Sequence, residues 1–155
     1  MKLRSIGNIR AKKGTFELVL DKDYKDGLLE LDQFSYIHVL WWADQEDSKE
    51  ARATLVTDLP YSKGTKAGVF ACRSPYRPNP VASSICPVLN VDMEKGIVTL
   101  AYIDAFDGTP LIDIKPYIPV SDRVKSVKTA TWFDTWPMYY EDGAEFFSKK
   151  ENQYE

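Results

Sequence analysis

Histidine and cysteine are scarce in this sequence: its 155 residues include one histidine and two cysteines. Metal centres, redox pairs and Cys–His nucleophilic sites need several such residues at close spacing, which Cys72, Cys86 and His38 do not provide. We therefore expect no metal site and two reduced, partly buried thiols. His38 is expected to pack within a strand, and the alternative is a catalytic role, which its titration range would suit.

Long apolar runs and an excess of positive charge are also absent. The longest apolar run, Tyr36–Ala43, is too short to span a bilayer, and residues 1–14 lack the apolar centre of a signal peptide. The formal net charge of −3 gives no overall field that attracts a polyanion. We expect a soluble cytoplasmic protein, without membrane contact, that could bind nucleic acid only through a local patch or a second subunit.

The chain instead contains many short apolar segments separated by turn signals. Thr15–Leu20 alternates as a half-buried strand does, and Phe34–Trp42 is β-branched and aromatic on both faces. Further predicted strands are Ala53–Val56, Gly68–Cys72, Ser84–Val91, Gly96–Asp104 and Leu111–Ile114. Helical periodicity is limited to one turn within Asp21–Leu31, interrupted by Gly27, and to a short helix over Gly143–Gln153. This pattern predicts a mainly β barrel or sandwich with a few short helical segments.

The C-terminal part carries the densest aromatic segment. Thr131–Tyr140 reads TWFDTWPMYY, with five aromatic residues in ten. So much apolar surface is expected to wrap onto the protein's own core, and the alternatives are a dimer contact or a wall of a ligand site. We place one domain in residues 1–140 and a tail in 141–155, with no additional C-terminal domain.

A proline-rich loop is the most unusual local feature. Arg73–Ser84 reads RSPYRPNPVASS, and its prolines remove amide donors and restrict the preceding residues to extended geometry. The segment can therefore be neither a helix nor a central strand. Rigid loops that hold arginines commonly bind carboxylates or phosphates. The alternative is a stiff surface connector with solvated arginines.

Charged residues also follow or precede two other predicted strands. Together with the proline-rich loop, they predict one polar cluster at strand ends, which would suit a small zwitterionic ligand. The cluster comprises Asp44, Arg73, Arg77, Asn79, Asp107, Asp113 and Lys115.

Three motifs in this order resemble the TsaA-like family, also called the TrmO family, of S-adenosylmethionine-dependent tRNA methyltransferases. They are FSYIHVLWWAD (residues 34–44), GVFACRSPYRPNPVASS (68–84) and DGTPLIDIKPY (107–117). An opening IGNIR at Ile6–Arg10 resembles the family's first strand. The resemblance covers about residues 3–120, and its second and third motifs are long and specific.

The resemblance implies a small antiparallel β-barrel that works as a homodimer. It implies S-adenosylmethionine as cofactor, and a tRNA substrate methylated on the exocyclic nitrogen of threonylcarbamoyladenosine beside the anticodon. Carried over by position, the cofactor-binding residues are Asp44, Gln45, Arg73, Ser83, Asp107, Gly108, Thr109 and Pro110. The expected substrate contacts are Arg77, Asn79 and Lys115. Asp107 and Asp113 are candidate bases, although Asp113 could instead form a structural pair with Lys115 or Arg77.

The chain departs from the family pattern in three places. Tyr36 replaces a histidine, Ala82 and Ser83 replace a glycine and a leucine, and Thr57–Gly64 replaces a basic segment. The first two changes could reshape the cofactor pocket, and the third removes cations that could meet RNA. Two other functions therefore stay open: methyl transfer to a small molecule, and binding of the cofactor without turnover.

Overall fold

A computed structural model describes residues 2–151 of the chain, with side chains up to residue 149. Eight β-strands are present in this range: β1 (Gly7–Lys12), β2 (Thr15–Leu20), β3 (Tyr36–Trp42), β4 (Val56–Asp58), β5 (Lys66–Gly68), β6 (Val81–Asp92), β7 (Ile97–Leu100) and β8 (Pro110–Pro116). The α-helices are α1 (Lys49–Ala53), α2 (Pro119–Asp122) and α3 (Gly143–Glu151). Short 3-10 helices cover Lys22–Leu28, Leu31–Gln33, Asp44–Glu46, Val69–Ala71, Thr131–Phe133 and Tyr140–Asp142.

Six strands close into an antiparallel barrel in the order β1-β2-β7-β6-β3-β8, and β4 and β5 form a separate hairpin. The barrel interior is filled by alternate residues of each strand, including Ile9, Leu18, Ile37, Val39 and Leu111, all at most 1% exposed. Burying each such aliphatic side chain contributes about 1.5–3 kcal/mol. The predicted mainly β barrel with few short helices is confirmed.

A short ladder between β1 and β8 closes the barrel. Gly7 pairs with Leu111 and Asn8 with Pro110, and the amide of Ile9 donates to the carbonyl of Thr109 at 2.8 Å. A Cβ placed on Gly7 would lie 2.1 Å from the backbone oxygen of Val19. Val19 belongs to β2, so only glycine fits at this position where the start of β1 lies against the end of β2.

Two predicted strands are wrong. Ala53–Val56 instead overlaps the end of α1, where the Ser48 hydroxyl caps the helix by accepting the Ala51 amide at 3.0 Å, and strand β4 begins only at Val56. Gly68–Cys72 leaves the sheet after Gly68 and turns into a 3-10 helix. In the segment around Ala53, the capping hydrogen bond to the Ser48 hydroxyl stabilises a helix more than the apolar run favours a strand.

Other boundaries also differ from expectation. The strand predicted over Gly96–Asp104 ends at Leu100, and the helical turn expected in Asp21–Leu31 continues through Gly27. The strands predicted over Ser84–Val91 and Leu111–Ile114 are confirmed and extend further in both directions. The C-terminal helix is confirmed over Gly143–Glu151, and residues 152 and 153 of the predicted helix lie outside the described residues.

The aromatic segment docks onto its own chain, as expected. Phe133 and Trp136 each place a ring centroid 5.4 Å from that of Tyr61, in the loop between β4 and β5. Tyr140 packs edge-on against Tyr36 of β3 at 5.8 Å. The segment thus covers part of the outer barrel wall and holds the β4–β5 hairpin in place.

A candidate cofactor site at one end of the barrel

Strand register brings the three motifs to the same end of the barrel. Strand β3 ends there while β6 and β8 begin, because Trp42 pairs with Val81 and Trp41 pairs with Leu111. The amide of Ala43 donates to the carbonyl of Pro80 at 2.9 Å. We call this the motif end. The predicted clustering of the loop that precedes β6 with the turns beside β3 and β8 follows directly from this register.

The turn after β3 is held in place by hydrogen bonds to the Asp47 carboxylate. Trp42 Nε1 donates to Asp47 Oδ2 at 2.9 Å, and Arg52 donates to the same carboxylate at 2.5 and 2.8 Å. The hydrogen bond from Arg52 is the main reason that the pKa of Asp47 lies below its ordinary value. The intervening Asp44 and Gln45 are exposed, so the braced turn presents a carboxylate and an amide to solvent.

The two arginines of the proline-rich loop differ sharply. The Arg77 guanidinium donates to the backbone carbonyls of Val69 and, at 3.1 Å, of Cys72. Arg73 is exposed, and no salt bridge joins it to an acidic residue within residues 2–149. Arg77 therefore folds the loop back on itself, whereas Arg73 is available to a ligand. The residues from Arg73 to Pro80 form neither helix nor strand, as the prolines predicted, but the prediction is wrong for Val81–Ser84, which begin strand β6.

A hydrogen bond from the Tyr76 hydroxyl to the Glu46 carboxylate joins this loop to the turn after β3. This bond is the main cause of a raised Tyr76 pKa, because the hydroxyl proton is held by an anion. Sequence reasoning missed the link, although Glu46 directly follows the expected Asp44–Gln45 pair. The bond links the Arg73 loop to the turn that contains Asp44.

The turn before β8 is held against β1. Asp107 accepts a hydrogen bond from the Ala11 amide at 3.1 Å and pairs with Lys12 at 2.9 Å. Lys12 is the main cause of a lowered Asp107 pKa. Gly108 adopts a left-handed φ of +86°, and Thr109 is only 2% exposed. Asp107 thus anchors the turn, and its carboxylate is a weak proton acceptor at neutral pH.

Asp113, Lys115 and Ser83 share the outer face of the sheet. Leu40 of β3 pairs with Ser83 on one side and with Asp113 on the other, so the three side chains project the same way. Asp113 and Lys115 form an ion pair at 2.7 Å, which confirms the structural pairing considered for Asp113. That pairing also raises the pKa of Lys115. Asp113 and Lys115 therefore lie within β8 and away from the motif end, so the predicted strand-end cluster is wrong for these two residues.

The scarce histidine and cysteines have packing roles in the structure. His38 stacks on Tyr117 with ring centroids 5.6 Å apart, and its Nε2 lies 3.3 Å from Asp122 Oδ1. Both cysteines are free thiols, Cys72 half-buried and Cys86 buried, and burial raises the Cys86 pKa to about 12. Within the described residues, no group of three His, Cys, Asp or Glu residues could hold a metal ion.

The opposite end of the barrel has a different character. A shallow groove there is lined by Asp32, Asn90, Asp92 and Glu94, and it contains none of the motif residues. Its acidic lining disfavours an anionic ligand. No helix in the described part of the chain is long and apolar enough to cross a membrane. The motif end is therefore the candidate functional site.

The fold and the site define a class of protein: small closed antiparallel barrels with charged loops gathered at one rim. Residues 7–123 match the profile described as the tRNA-methyltransferase O N-terminal domain, and the chain belongs to this family.

Named relatives and a solved structure agree with that assignment. A probable S-adenosyl-L-methionine-binding protein of Archaeoglobus fulgidus is 35% identical over 125 residues, covering 81% of this chain and 32% of the relative. The tRNA (adenine(37)-N6)-methyltransferase of Escherichia coli is 32% identical over 123 residues, covering 78% of this chain and 52% of the enzyme. The crystal structure of TrmO from Pseudomonas aeruginosa superposes with a TM-score of 0.64 at 26% identity, covering 84% and 62% of the two chains. The chain thus spans 32–62% of the length of these proteins.

Proposed function

We propose that this protein is an S-adenosylmethionine-dependent methyltransferase that methylates N6 of threonylcarbamoyladenosine beside the anticodon of tRNA. The observation that carries the proposal is the meeting of the three family motifs at one barrel end, where Arg73 and Asp44 project into solvent. The match of residues 7–123 to the methyltransferase domain supports it.

The residues at the motif end fit a zwitterionic cofactor. Arg73 would bind the methionyl carboxylate through two parallel hydrogen bonds, an arrangement that lysine cannot reproduce. Asp44 and Gln45 offer acceptors to the amine and hydroxyl groups of the same ligand. A Cβ added at Gly108 would meet no atom within 4 Å, so a ligand can approach the Asp107–Pro110 turn closely on that side. The amides of Gly108 and Thr109 already donate to the carbonyls of Ile9 and Phe106, so the turn offers the ligand shape rather than free amide donors. Ser83 would contribute from the outer face of β6.

S-adenosylmethionine, when bound, supplies a methyl group that its positively charged sulfur already activates. The protein's own residues mainly have to hold donor and acceptor in line and exclude water. The braced turn after β3, the Arg77-folded loop and the anchored Asp107 turn meet that need, because each is held by several hydrogen bonds. Asp107 and Asp113 both have cationic partners, so we assign them positioning roles and assign no general base.

The residues predicted to contact the substrate differ in how accessible their side chains are to a ligand. Asn79 is exposed at the motif end, and we propose that it contacts the tRNA. Lys115 is also exposed, although it is paired with Asp113. Arg77 is engaged with backbone carbonyls, so we propose that it shapes the loop rather than binding a phosphate.

One alternative has a specific observation in its favour. The A. fulgidus relative is named a probable S-adenosyl-L-methionine-binding protein, which is compatible with cofactor binding without turnover. The third possibility is methyl transfer to a small molecule, which suits the net charge of −3. Both alternatives use the same cofactor site: the first has no methyl transfer, and the second has a different methyl acceptor.

Methyl transfer from radiolabelled S-adenosylmethionine tests the proposal. We expect label in bulk tRNA from a wild-type strain and none in tRNA from a strain that lacks the threonylcarbamoyl modification. Arg73→Lys is the matched control, and it should abolish transfer while the protein stays folded. Label that appears equally in both tRNA preparations would refute the proposed acceptor, and absence of label in tRNA would favour the alternatives.

Cofactor binding is tested separately by thermal unfolding. A ligand that binds only the native state stabilises it by about 2.7 kcal/mol at a hundredfold excess over its dissociation constant. Unchanged unfolding in millimolar S-adenosylmethionine would contradict all three functions. We also propose that the protein is a cytoplasmic homodimer, and light scattering that gave the mass of one chain would refute the dimer.

A further inference from the structure

We propose that residues 123–128, which we call the basic strip, bind the phosphate backbone of the tRNA substrate. The proposal rests on the proposed function and adds the surface that would recognise the nucleic acid. The strip lies almost wholly outside the matched family segment, which ends at residue 123.

The strip concentrates positive charge in an acidic protein. It reads RVKSVK and places Arg123, Lys125 and Lys128 within six residues. The rest of the chain then carries 17 lysines and arginines against 23 acidic residues, a formal charge of −6. Sequence-independent affinity for nucleic acid comes mainly from cations that displace counterions from phosphates. A local cluster is therefore what an acidic protein needs for an RNA substrate.

The charges of the strip are not neutralised by the fold. All six residues are exposed, and no salt bridge joins the three cations to any acid that the structure describes. The nearest acid in sequence, Asp122, accepts the Ile118 amide at 2.7 Å and lies 3.3 Å from His38 Nε2. Its carboxylate is thus directed toward the barrel wall.

Both ends of the strip are fixed to the barrel. Helix α2 precedes it and contacts β3 through Asp122 and His38, while Phe133 follows it and packs on Tyr61 of the β4–β5 hairpin. Because that hairpin leads directly into the Arg73 loop, the strip ends on the side of the candidate cofactor site. Anchoring at both ends reduces the ordering entropy that binding would otherwise cost.

The spacing of the cations suits successive phosphates of a flexible strand. Two and three residues of chain span at most about 7 and 11 Å, so each cation can reach a separate phosphate. Three contacts to single-stranded RNA correspond to a change of about 2 in the slope of log affinity against log salt concentration.

The first test compares two triple variants in tRNA binding across a range of salt concentrations. R123Q/K125Q/K128Q should weaken binding about tenfold at low salt and make the salt slope about 2 shallower, with unchanged affinity for S-adenosylmethionine. K22Q/K25Q/K95Q removes the same net charge at the opposite end of the barrel, so it should bind like the wild type. The proposal is overturned by a wild-type slope in the first variant, by equal losses in both, or by absence of tRNA binding in the wild-type protein.

The second test uses the unaltered protein and is independent of variant folding. Trypsin cleaves after lysine and arginine, and the exposed strip offers three such bonds. Saturating tRNA should slow cleavage after residues 123, 125 and 128 severalfold, whereas cleavage after Lys22 should not change. Unprotected strip bonds in the presence of bound tRNA would overturn the proposal. If tRNA binds and protects the strip but receives no methyl group, the proposed function fails and the strip assignment stands.

Discussion

Replacing Arg77 separates a structural role from a substrate contact. Arg77→Met keeps an unbranched apolar stem but removes every donor, and it leaves the carbonyls of Val69 and Cys72 without their guanidinium partner. A hydrogen bond from a charged donor is worth about 1.5–3 kcal/mol, and the lower half of that range applies because Arg77 is only half-buried. Arg77 makes two such bonds, and water partly replaces them when the guanidinium is removed. We therefore expect the free energy of unfolding to fall by about 2–3 kcal/mol in total.

Denaturant titration and calorimetry measure this loss. For a chain of this size each kcal/mol corresponds to about 2–4 °C in Tm, so the expected drop is about 4–12 °C. Arg73→Met is the matched control, because the same replacement at an exposed, unpaired arginine should change stability by less than about 0.5 kcal/mol. If Arg77→Met unfolded like the wild type and instead lost tRNA affinity, Arg77 would be the substrate contact that the sequence predicted and the structural assignment would be wrong.

Three further predictions follow from the site and the core. Tyr76→Phe and Glu46→Met should each weaken S-adenosylmethionine binding about threefold to tenfold, and the double variant should lose no more than either one, because each removes one partner of the same hydrogen bond. Calorimetric titration gives the affinities, and additive losses would contradict a direct link. Burial raises the pKa of Cys86 to about 12, so above about pH 9 the native state retains a proton that the unfolded chain releases. The free energy of unfolding should therefore decline as the pH rises from about 9 toward 12. A Cys86→Val variant that showed the same decline would disprove this cause. The pKa of Asp107 is lowered in the folded protein, so its carboxylate contributes stability above its unfolded pKa of about 3.9. This contribution is lost as the pH falls through the folded pKa. In Asp107→Asn the free energy of unfolding should therefore fall less steeply at acidic pH, and an unchanged pH dependence would exclude the contribution.

The sequence predicted the meeting of the three motif segments better than it predicted some of the elements around them. Proline placement defined the Arg73 loop, and the motif order predicted the cluster, because antiparallel neighbours bring the end of one strand beside the start of the next. Ala53–Val56 was misassigned because its apolar run gave a stronger pattern than the single capping hydroxyl of Ser48. Local capping chemistry decides such short segments, and periodicity over four residues cannot override it.

The sequence alone did not predict the direction in which individual side chains of the candidate site point. Arg73 and Arg77 stand four residues apart in one loop, yet one faces solvent and the other turns back to its own backbone. The choice depends on where the carbonyls of the preceding 3-10 turn point, which is a property of the folded chain. The same holds for Asp107, whose partner Lys12 is distant in sequence and becomes a neighbour only when β1 and β8 meet.

The closing ladder between β1 and β8 also has a kinetic consequence. It joins segments about a hundred residues apart in the chain, whereas β1 and β2 form a local hairpin, so loop-closure entropy delays its assembly until late in folding. Few ladder bonds hold it, and amide hydrogens at this seam should therefore exchange through small openings that leave the rest of the barrel intact. The Asp107–Pro110 turn continues the same ladder. A ligand bound to that turn would therefore stabilise the ladder, and it would slow hydrogen exchange of the Ile9 and Leu111 amides more than that of any hairpin amide.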